Sequence, residues 1–261
     1  MFDWKWYLKD IIQDKPVTVF SCFSCGGGSS MGYKRAGFNV IGNLEIDKAI
    51  NEVYMHNLHP KHNFCMDIRD FVKLGAYPED LMSLDILDGS PPCTTFSMAG
   101  DREKSWGKYK KFAEGQKLQR LDDLFFEFIK LAAVLRPKIV VAENVVGLLY
   151  GNAAGYVNEI IKGFSEIGYS VQIFKLNSAI MDVPQARIRV FFIANRLDLP
   201  PLKLAFNNQP ILFGEVRSAH GKPIKRNTLA KYLLDHRTAT DKSLSDINLR
   251  LFHKKACLVN I

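Results

Sequence analysis

One cysteine stands in the stretch Asp88-Gly-Ser-Pro-Pro-Cys-Thr-Thr-Phe-Ser-Met-Ala-Gly100. An apolar run, Leu84 to Leu87 broken only by Asp85, leads into it and reads as a buried strand. Gly89, Pro91 and Pro92 stop that strand and hold Cys93 just beyond its C-terminal end, where open α/β sheets keep their reacting groups. A thiol held there looks like a nucleophile, although a lone cysteine without context is more often a buried structural residue. A second buried run, Ile139-Val-Val-Ala142, delivers Glu143-Asn144 to the same edge. Gln185-Ala-Arg-Ile-Arg189 adds two cations, Arg187 and Arg189, at the opening of a further strand.

A second group of residues has the layout of a nucleoside site. Val17 to Phe23 is β-branched and aromatic and predicts a strand. Ser24-Cys-Gly-Gly-Gly-Ser-Ser30 follows, then a helix from Met31 to Ala36 with Gly37 as its cap. A second strand, Asn39 to Leu44, ends on Glu45, and Ile46 to Leu58 reads as a helix. Gly26, Gly27 and Gly28 let backbone approach a ligand, and the acid about twenty residues on is where a Rossmann-type fold binds ribose hydroxyls. Phe64 to Asp67 reads as a third strand. Asp67 is placed either to accept from an adenine amino group or to cap a helix over Ile68–Leu74.

Between and around these segments the spacing predicts a helix over residues 4–13, a strand at Leu84–Leu87 and a long helix from Leu118 to Leu135 stopped by Pro137. It also predicts a strand at Ile139–Ala142, a helix from Asn152 to Ile167, a strand from Tyr169 to Leu176 and a last one running to Ala194. Strands alternating with helices imply an α/β sheet. Residues 101–117 carry six Lys/Arg, three Asp/Glu, Trp106 and Tyr109, and read as either a mobile functional loop or a disordered one.

The 261 residues suffice for one large α/β domain or one with a small appendage. No apolar run reaches the roughly 18 residues of a membrane helix, so no membrane partner is expected. Five cysteines without framework spacing suggest free thiols in a reducing cytoplasm. Cys22-x-x-Cys25 lacks a second pair, so no metal is expected. The net charge of +8 is uneven. Residues 196–261 hold 12 Lys/Arg against 5 Asp/Glu, which leaves +1 for residues 1–195. A basic segment on a near-neutral body suits either a polyanion partner or a solvated surface.

Taken together, these motifs resemble the cytosine-C5 DNA methyltransferase family. The matching stretches are Phe23 to Gly32 with Ala36-Gly-Phe38, Glu45-Ile-Asp47, Asp67-Ile68, Gly89 to Ser97, Glu143-Asn-Val145 and Gln185 to Arg189, in the family's order over about residues 17–195. The resemblance implies a Rossmann-like methyltransferase fold, with a mostly parallel sheet, one antiparallel strand and helices on both faces. It implies methyl transfer from S-adenosylmethionine to C5 of cytosine in DNA, of the restriction-modification type, with S-adenosylhomocysteine as product. Cys93 would add to cytosine C6, Glu143 would protonate N3, and Asn144 would hold the Cys93 loop. Arg189 would bind the cytosine O2, with Arg187 beside it. The cofactor pocket would draw on Phe23, Cys25, Gly26, Gly27, Gly28, Glu45, Ile46, Asp67, Ile68, Ser90, Pro91 and Leu124. Double-stranded DNA would be the partner, its target base flipped out of the stack, and the 101–117 loop would close over it with Ser97 or Gln116 near the gap. A bacterial member would work at the nucleoid.

Within the motifs, Cys25 and Ser90 stand where the family has glycine, and Thr94 where it has glutamine. The family's later Arg/Glu-rich and Gly-Asn-Ser-Val-like motifs are missing. The expected layout is therefore a catalytic domain over residues 1–195 and an incomplete, basic target-recognition region over 196–261. Three readings of that incompleteness stay open: a truncated chain, one half of a two-chain enzyme whose second polypeptide supplies the remainder, or a degenerate product. Two other readings fit the motifs: a tRNA cytosine-C5 methyltransferase, and a non-catalytic nucleic-acid-binding or partner subunit that keeps the fold.

Overall fold

The computed structural model describes residues 7–92, 123–150, 154–206 and 208–211. Cys93, Thr94, Ser97, Gln116, the 101–117 segment, residues 118–122 and the chain beyond Ile211 lie outside them. The chain divides into two compact units. One comprises Met1–Phe174 with Val190–Pro201, the other Lys175–Arg189 with the segment from Leu202.

Seven strands form one sheet: β1 (Thr18–Cys22), β2 (Asn39–Glu45), β3 (His62–Cys65), β4 (Ile86–Gly89), β5 (Ile139–Val145), β6 (Ser170–Asn177) and β7 (Ile188–Asn195). Their order is β3-β2-β1-β4-β5-β7-β6, and β1–β2, β2–β3, β1–β4 and β4–β5 pair in parallel. Strands β6 and β7 form a hairpin: the Ser170 hydroxyl, at the start of β6, donates to the carbonyl of Asn195 at the end of β7. At the other end, the Ser178 N–H donates to the Arg187 carbonyl. The Arg196 N–H bonds the Lys138 carbonyl, so β7 also runs against β5. The expected mixed sheet with one antiparallel strand is therefore present.

The helices are α1 (Gly28–Arg35), α2 (Lys48–Leu58), α3 (Ile68–Phe71), α4 (Glu79–Met82), α5 (Leu124–Leu135) and α6 (Ala154–Glu166). Alternate strand residues face opposite sides of the sheet, and two apolar clusters result. Phe20, Cys22, Leu87, Val140 and Ala142 join the larger one with residues of α3, α5 and α6. Val19, Val40 and Ile86 form the smaller one with Tyr33 of α1, Phe38 and Ile139. Aromatic rings thread the larger cluster, with Phe20 stacked on Phe71 at 5.7 Å and Phe125 meeting Phe192 edge-on at 5.3 Å.

Several expectations need correction. The helix over residues 4–13 is, in its described part, one 3-10 turn at Leu8–Asp10. Tyr7 is 63% and Ile12 77% exposed, so the described part of the apolar stripe is only partly buried, and an isolated helix that short is marginal. Helix α1 begins at Gly28, not Met31, because Gly27 takes a left-handed φ of 90° and starts the turn. Helix α2 begins at Lys48, because the Asp47 carboxylate accepts the Ile50 N–H as an N-cap. Strand β3 ends at Cys65, which leaves Asp67 beyond it as the cap of the short α3. Strand β4 starts two residues later than expected and includes Gly89, where a Cβ would meet the Phe128 ring at 2.6 Å. Gln185 and Arg187 precede β7 and do not belong to it. The short α4 had no sequence signal strong enough to predict.

At the opposite end of β4, Asp85 fastens three strand starts. Its carboxylate accepts the Thr18 N–H at 2.8 Å and the Thr18 hydroxyl at 3.1 Å, and Lys138 approaches to 2.5 Å. Burial raises the affinity of this carboxyl for its proton, but the bonds from Lys138 and Thr18 outweigh it and hold the pKa below the ordinary value. A depressed carboxyl stabilises the fold above its unfolded pKa, and that contribution fades as pH falls through the folded one. Asp85→Asn should therefore lower the unfolding free energy by about 1–2 kcal/mol at pH 7. In urea titrations the difference from the parent should shrink below about pH 4.

Candidate active site

The strand order reverses between β1 and β4, so the loops after these two strands leave the sheet side by side. Register aligns their ends: Cys22 lies opposite both Leu44 and Gly89, and Gly89 lies opposite Ala142. The residues that follow are Phe23 after β1, Glu45 at the end of β2, Ser90 and Pro91 after β4, and Glu143-Asn144 in β5. The sheet thus brings four of the motifs to one edge.

The loop after β1 is tightly specified. Phe23 and Cys25 both take left-handed backbone, with φ of 51° and 45°, and Gly27 follows at 90°. Residues other than glycine seldom adopt this region, and such strain concentrates at functional sites. The Cβ of Cys25 does not prevent the conformation, because the Cys25 N–H is tied to a Glu45 carboxylate oxygen at 2.8 Å. The other oxygen accepts the Asp47 N–H at 3.0 Å. Glu45 is 7% exposed and holds the turn from the neighbouring strand. Among the three glycines, Gly27 has a distinct reason: a Cβ there would lie 2.2 Å from the Leu58 side chain and 3.1 Å from Tyr54. Gly26 and Gly28 face open space.

A neutral amide network supports the turn from below. The Asn43 amide donates to the Ser24 hydroxyl at 3.1 Å and to Asn51 at 2.9 Å, and Asn63 donates to both asparagines at 2.8 Å. Strands β2 and β3, helix α2 and the loop are thereby joined. Phe23 packs toward Phe128, ring centroids 6.3 Å apart. Ile46 is exposed, whereas Ile68 and Leu124 are core residues, so the latter two would offer a ligand chiefly backbone or a buried wall. Asp67 accepts the Arg69 N–H at 2.8 Å and pairs with its guanidinium at 3.0 Å, and Arg69 reaches on to Asp123 at 2.7 Å. The capping role proposed for Asp67 is present, and the ion pair ties this corner to the start of α5.

On the other side of the switch point, the buried Asn144 amide donates to the Pro91 carbonyl at 3.1 Å. The chain leading to Cys93 is thus held from β5, one residue beyond Glu143. Cys93 itself lies outside the described residues. Arg187 and Arg189 belong to the second unit. There the Arg187 N–H donates to the Ser178 hydroxyl at 3.2 Å and Arg189 donates to the Ile188 carbonyl at 2.8 Å. Of the two other described thiols in the first unit's motifs, Cys22 is buried and Cys25 exposed. Burial, then the charge of Asp88, pushes the Cys22 thiol well up; burial, Glu45 and Asp47 raise that of Cys25. Neither has the thiolate character of a nucleophile.

A further buried acid, Asp88, lies on this edge of the sheet. It is 6% exposed and accepts from the Ser21 hydroxyl at 2.8 Å, the Ser29 hydroxyl at 2.7 Å and the Tyr33 hydroxyl at 3.3 Å. Burial raises its pKa; the three hydroxyls oppose this, and the charge of Glu143 adds to it. The available signal was a second acid inside an apolar strand.

Comparison with known proteins gives consistent matches. The family model described as C-5 cytosine-specific DNA methylase matches residues 17–256. The Type II methyltransferase M.FnuDI of Fusobacterium nucleatum is 36% identical over 187 residues, covering 70% of this chain and 48% of that protein. The Type II methyltransferase M.NgoPII of Neisseria gonorrhoeae is 35% identical over 196 residues, covering 73% and 51%. The chain thus spans about half the length of these relatives. Among solved structures, a putative DNA modification methyltransferase encoded within an Escherichia coli prophage superposes with a TM-score of 0.59 at 24% identity, covering 79% of this chain and 55% of that one. Spodoptera frugiperda DNMT2 gives 0.56 at 20% identity, covering 80% and 61%. Both likenesses concern the fold, which is that of Rossmann-like methyltransferases.

The turn geometry separates the glycines. Gly27→Ala should lower the unfolding free energy by about 2 kcal/mol or more, since it combines a left-handed backbone with a clash against buried Leu58. Gly26→Ala should stay within about 0.5 kcal/mol of the parent. Chemical denaturation of the two variants side by side checks this.

Proposed function

Because the chain belongs to the C-5 cytosine-specific DNA methylase family, we propose that it is the catalytic portion of an enzyme that transfers a methyl group from S-adenosylmethionine to C5 of cytosine in duplex DNA. The observation that carries this reading is the Asn144–Pro91 bond together with the Gly89–Ala142 register. These put Glu143 beside the segment that leads to Cys93, so acid and thiol would converge on one bound base. The naming of the relatives as Type II methyltransferases supports a restriction-modification role.

Cytosine C5 is a poor nucleophile. In this reading the Cys93 thiolate forms a bond to C6, and Glu143 gives a proton to N3. The electrons displaced into the ring make C5 enamine-like. When bound, S-adenosylmethionine supplies an electrophilic methyl group to that carbon. Loss of the C5 proton to water, expulsion of Cys93 as thiolate and return of the N3 proton to Glu143 then restore the neutral aromatic ring. A small fraction of a free thiol is ionised near pH 7, but the thiolate is a strong nucleophile. Asn144 holds the loop that carries it, and Arg189 and Arg187 are the cations proposed for the cytosine O2 and its surroundings. The target base must leave the helix to be reached, and the basic residues from Arg196 onward suit the phosphates around it.

The turn after β1 fits the cofactor. Gly26 and Gly28 leave backbone open to close approach, and α1 begins at the turn with its N–H groups. Glu45 would accept from ribose hydroxyls with the lone pairs its two N–H partners leave. Asp67 and Phe23 are the proposed adenine contacts.

A duplex carrying 5-fluorocytosine has no removable C5 proton, so the covalent adduct should persist. Incubating it with the chain and S-adenosylmethionine should give a denaturation-resistant protein–DNA band, absent with Cys93→Ala and reduced at least a hundredfold with Glu143→Gln. A band that survives Cys93→Ala would exclude the mechanism. Tritium transfer to tRNA but not to duplex DNA would exclude the substrate.

A further inference from the structure

The family chemistry leaves Asp88 without a task, yet it is a buried carboxylate at the switch point. Three hydroxyls from two elements converge on it. Ser21 comes from β1, one residue before the strand's last rung; Ser29 comes from the first turn of α1; Tyr33 comes from the next turn of the same helix. Ser29 and Tyr33 are four residues apart and so project from one face of α1. Asp88 therefore touches that face at two points, one turn apart, and touches the strand feeding the glycine turn at a third. Oδ2 accepts from both serines and Oδ1 from the tyrosine.

A buried carboxylate is expensive unless its lone pairs are met, and here, among the described residues, hydroxyl dipoles meet them. The arrangement is directional: shifting α1 by about an ångström along the sheet would strain both of its bonds, Ser29 to Oδ2 and Tyr33 to Oδ1, together. Two residues on, Ser90 is followed by Pro91, whose carbonyl is held by Asn144. The same short segment thus grips the helix that follows the glycine turn and is itself gripped from the strand bearing Glu143.

We propose that Asp88 is a positioning residue that seats the first turn of α1, and with it the turn at Gly26–Gly28, against the strand leading to Cys93. This rests on the cofactor reading above for its functional consequence. Its effect falls on S-adenosylhomocysteine affinity, through Ser29, before any methyl is transferred.

The experiment uses the full 261-residue chain and titration calorimetry with S-adenosylhomocysteine. Ser29→Ala and Asp88→Ala should each weaken binding by about tenfold, and the double variant should be no weaker than Asp88→Ala, because the Ser29–Asp88 bond is already lost in either single variant. Asp88→Asn keeps an acceptor oxygen for the two serines and should restore affinity to within about threefold of the parent. Asp85→Asn, at the other end of β4, destabilises the fold without touching α1 and should leave binding within twofold. Parent-like binding by Ser29→Ala would overturn the proposal, as would equal weakening by Asp85→Asn; Ser29→Ala decides the matter even if Asp88→Ala does not fold. If the parent chain does not bind S-adenosylhomocysteine, the cofactor reading of the chain fails, and amide hydrogen exchange then decides the seating alone. Faster exchange confined to residues 28–33 in Ser29→Ala supports it, and unchanged exchange there overturns it.

Discussion

The candidate site depends on the parallel pairing of β1 with β4. Four residue pairs, from Val19 opposite Ile86 to Cys22 opposite Gly89, fix where each strand stops. In a parallel pair both chains leave at the same edge, and here they leave in opposite lateral directions, because the strand order turns at this point. A slip of one residue would reverse the facing of β4 and carry Asp88 away from Ser21. Asp85 at one end and Asp88 at the other each bond across to β1, so the register is set by side chains as well as by the backbone ladder.

The two aspartates show how environment decides what one residue type does. They sit three positions apart around the same short strand. Asp85 faces a lysine and the start of β1, which lower its pKa; among the described residues the hydrogen-bond partners of the Asp88 carboxyl are neutral hydroxyls, and burial, with the charge of Glu143, raises its pKa. The first holds strands together by charge. The second orients a helix by hydrogen-bond direction, a task for which net charge is secondary.

Much of this was legible in the sequence. Apolar runs ending in Phe23, Glu45 and Glu143 located strand ends to within a few residues, because buried parallel strands read as continuous apolar stretches. The glycine turn was legible as a motif. Which glycine was constrained was not, since the clash at Gly27 comes from Leu58 and Tyr54 on a helix about thirty residues away in sequence. Helix starts were misplaced where a left-handed glycine or an aspartate cap overrode propensity, as at Gly27 and Asp47. In the described part of the first helix only a 3-10 turn forms, because Tyr7 and Ile12 of its stripe stay exposed. The hydroxyl cluster around Asp88 was invisible because it joins residues 55 to 67 positions apart with no spacing rule.

The amide network beneath the glycine turn has a consequence for how the protein would respond to its medium. Asn43, Asn51, Asn63 and Ser24 carry no formal charge, and Asn43 is fully buried. Ionic strength acts on exposed charges and on phosphate contacts, and scarcely on buried neutral dipoles. The floor of the turn is thus insulated from changes in salt that would strongly alter the grip of a basic surface on a polyanion. The two halves of the proposed task would be tuned by separate physical variables, so that one can weaken without loosening the other.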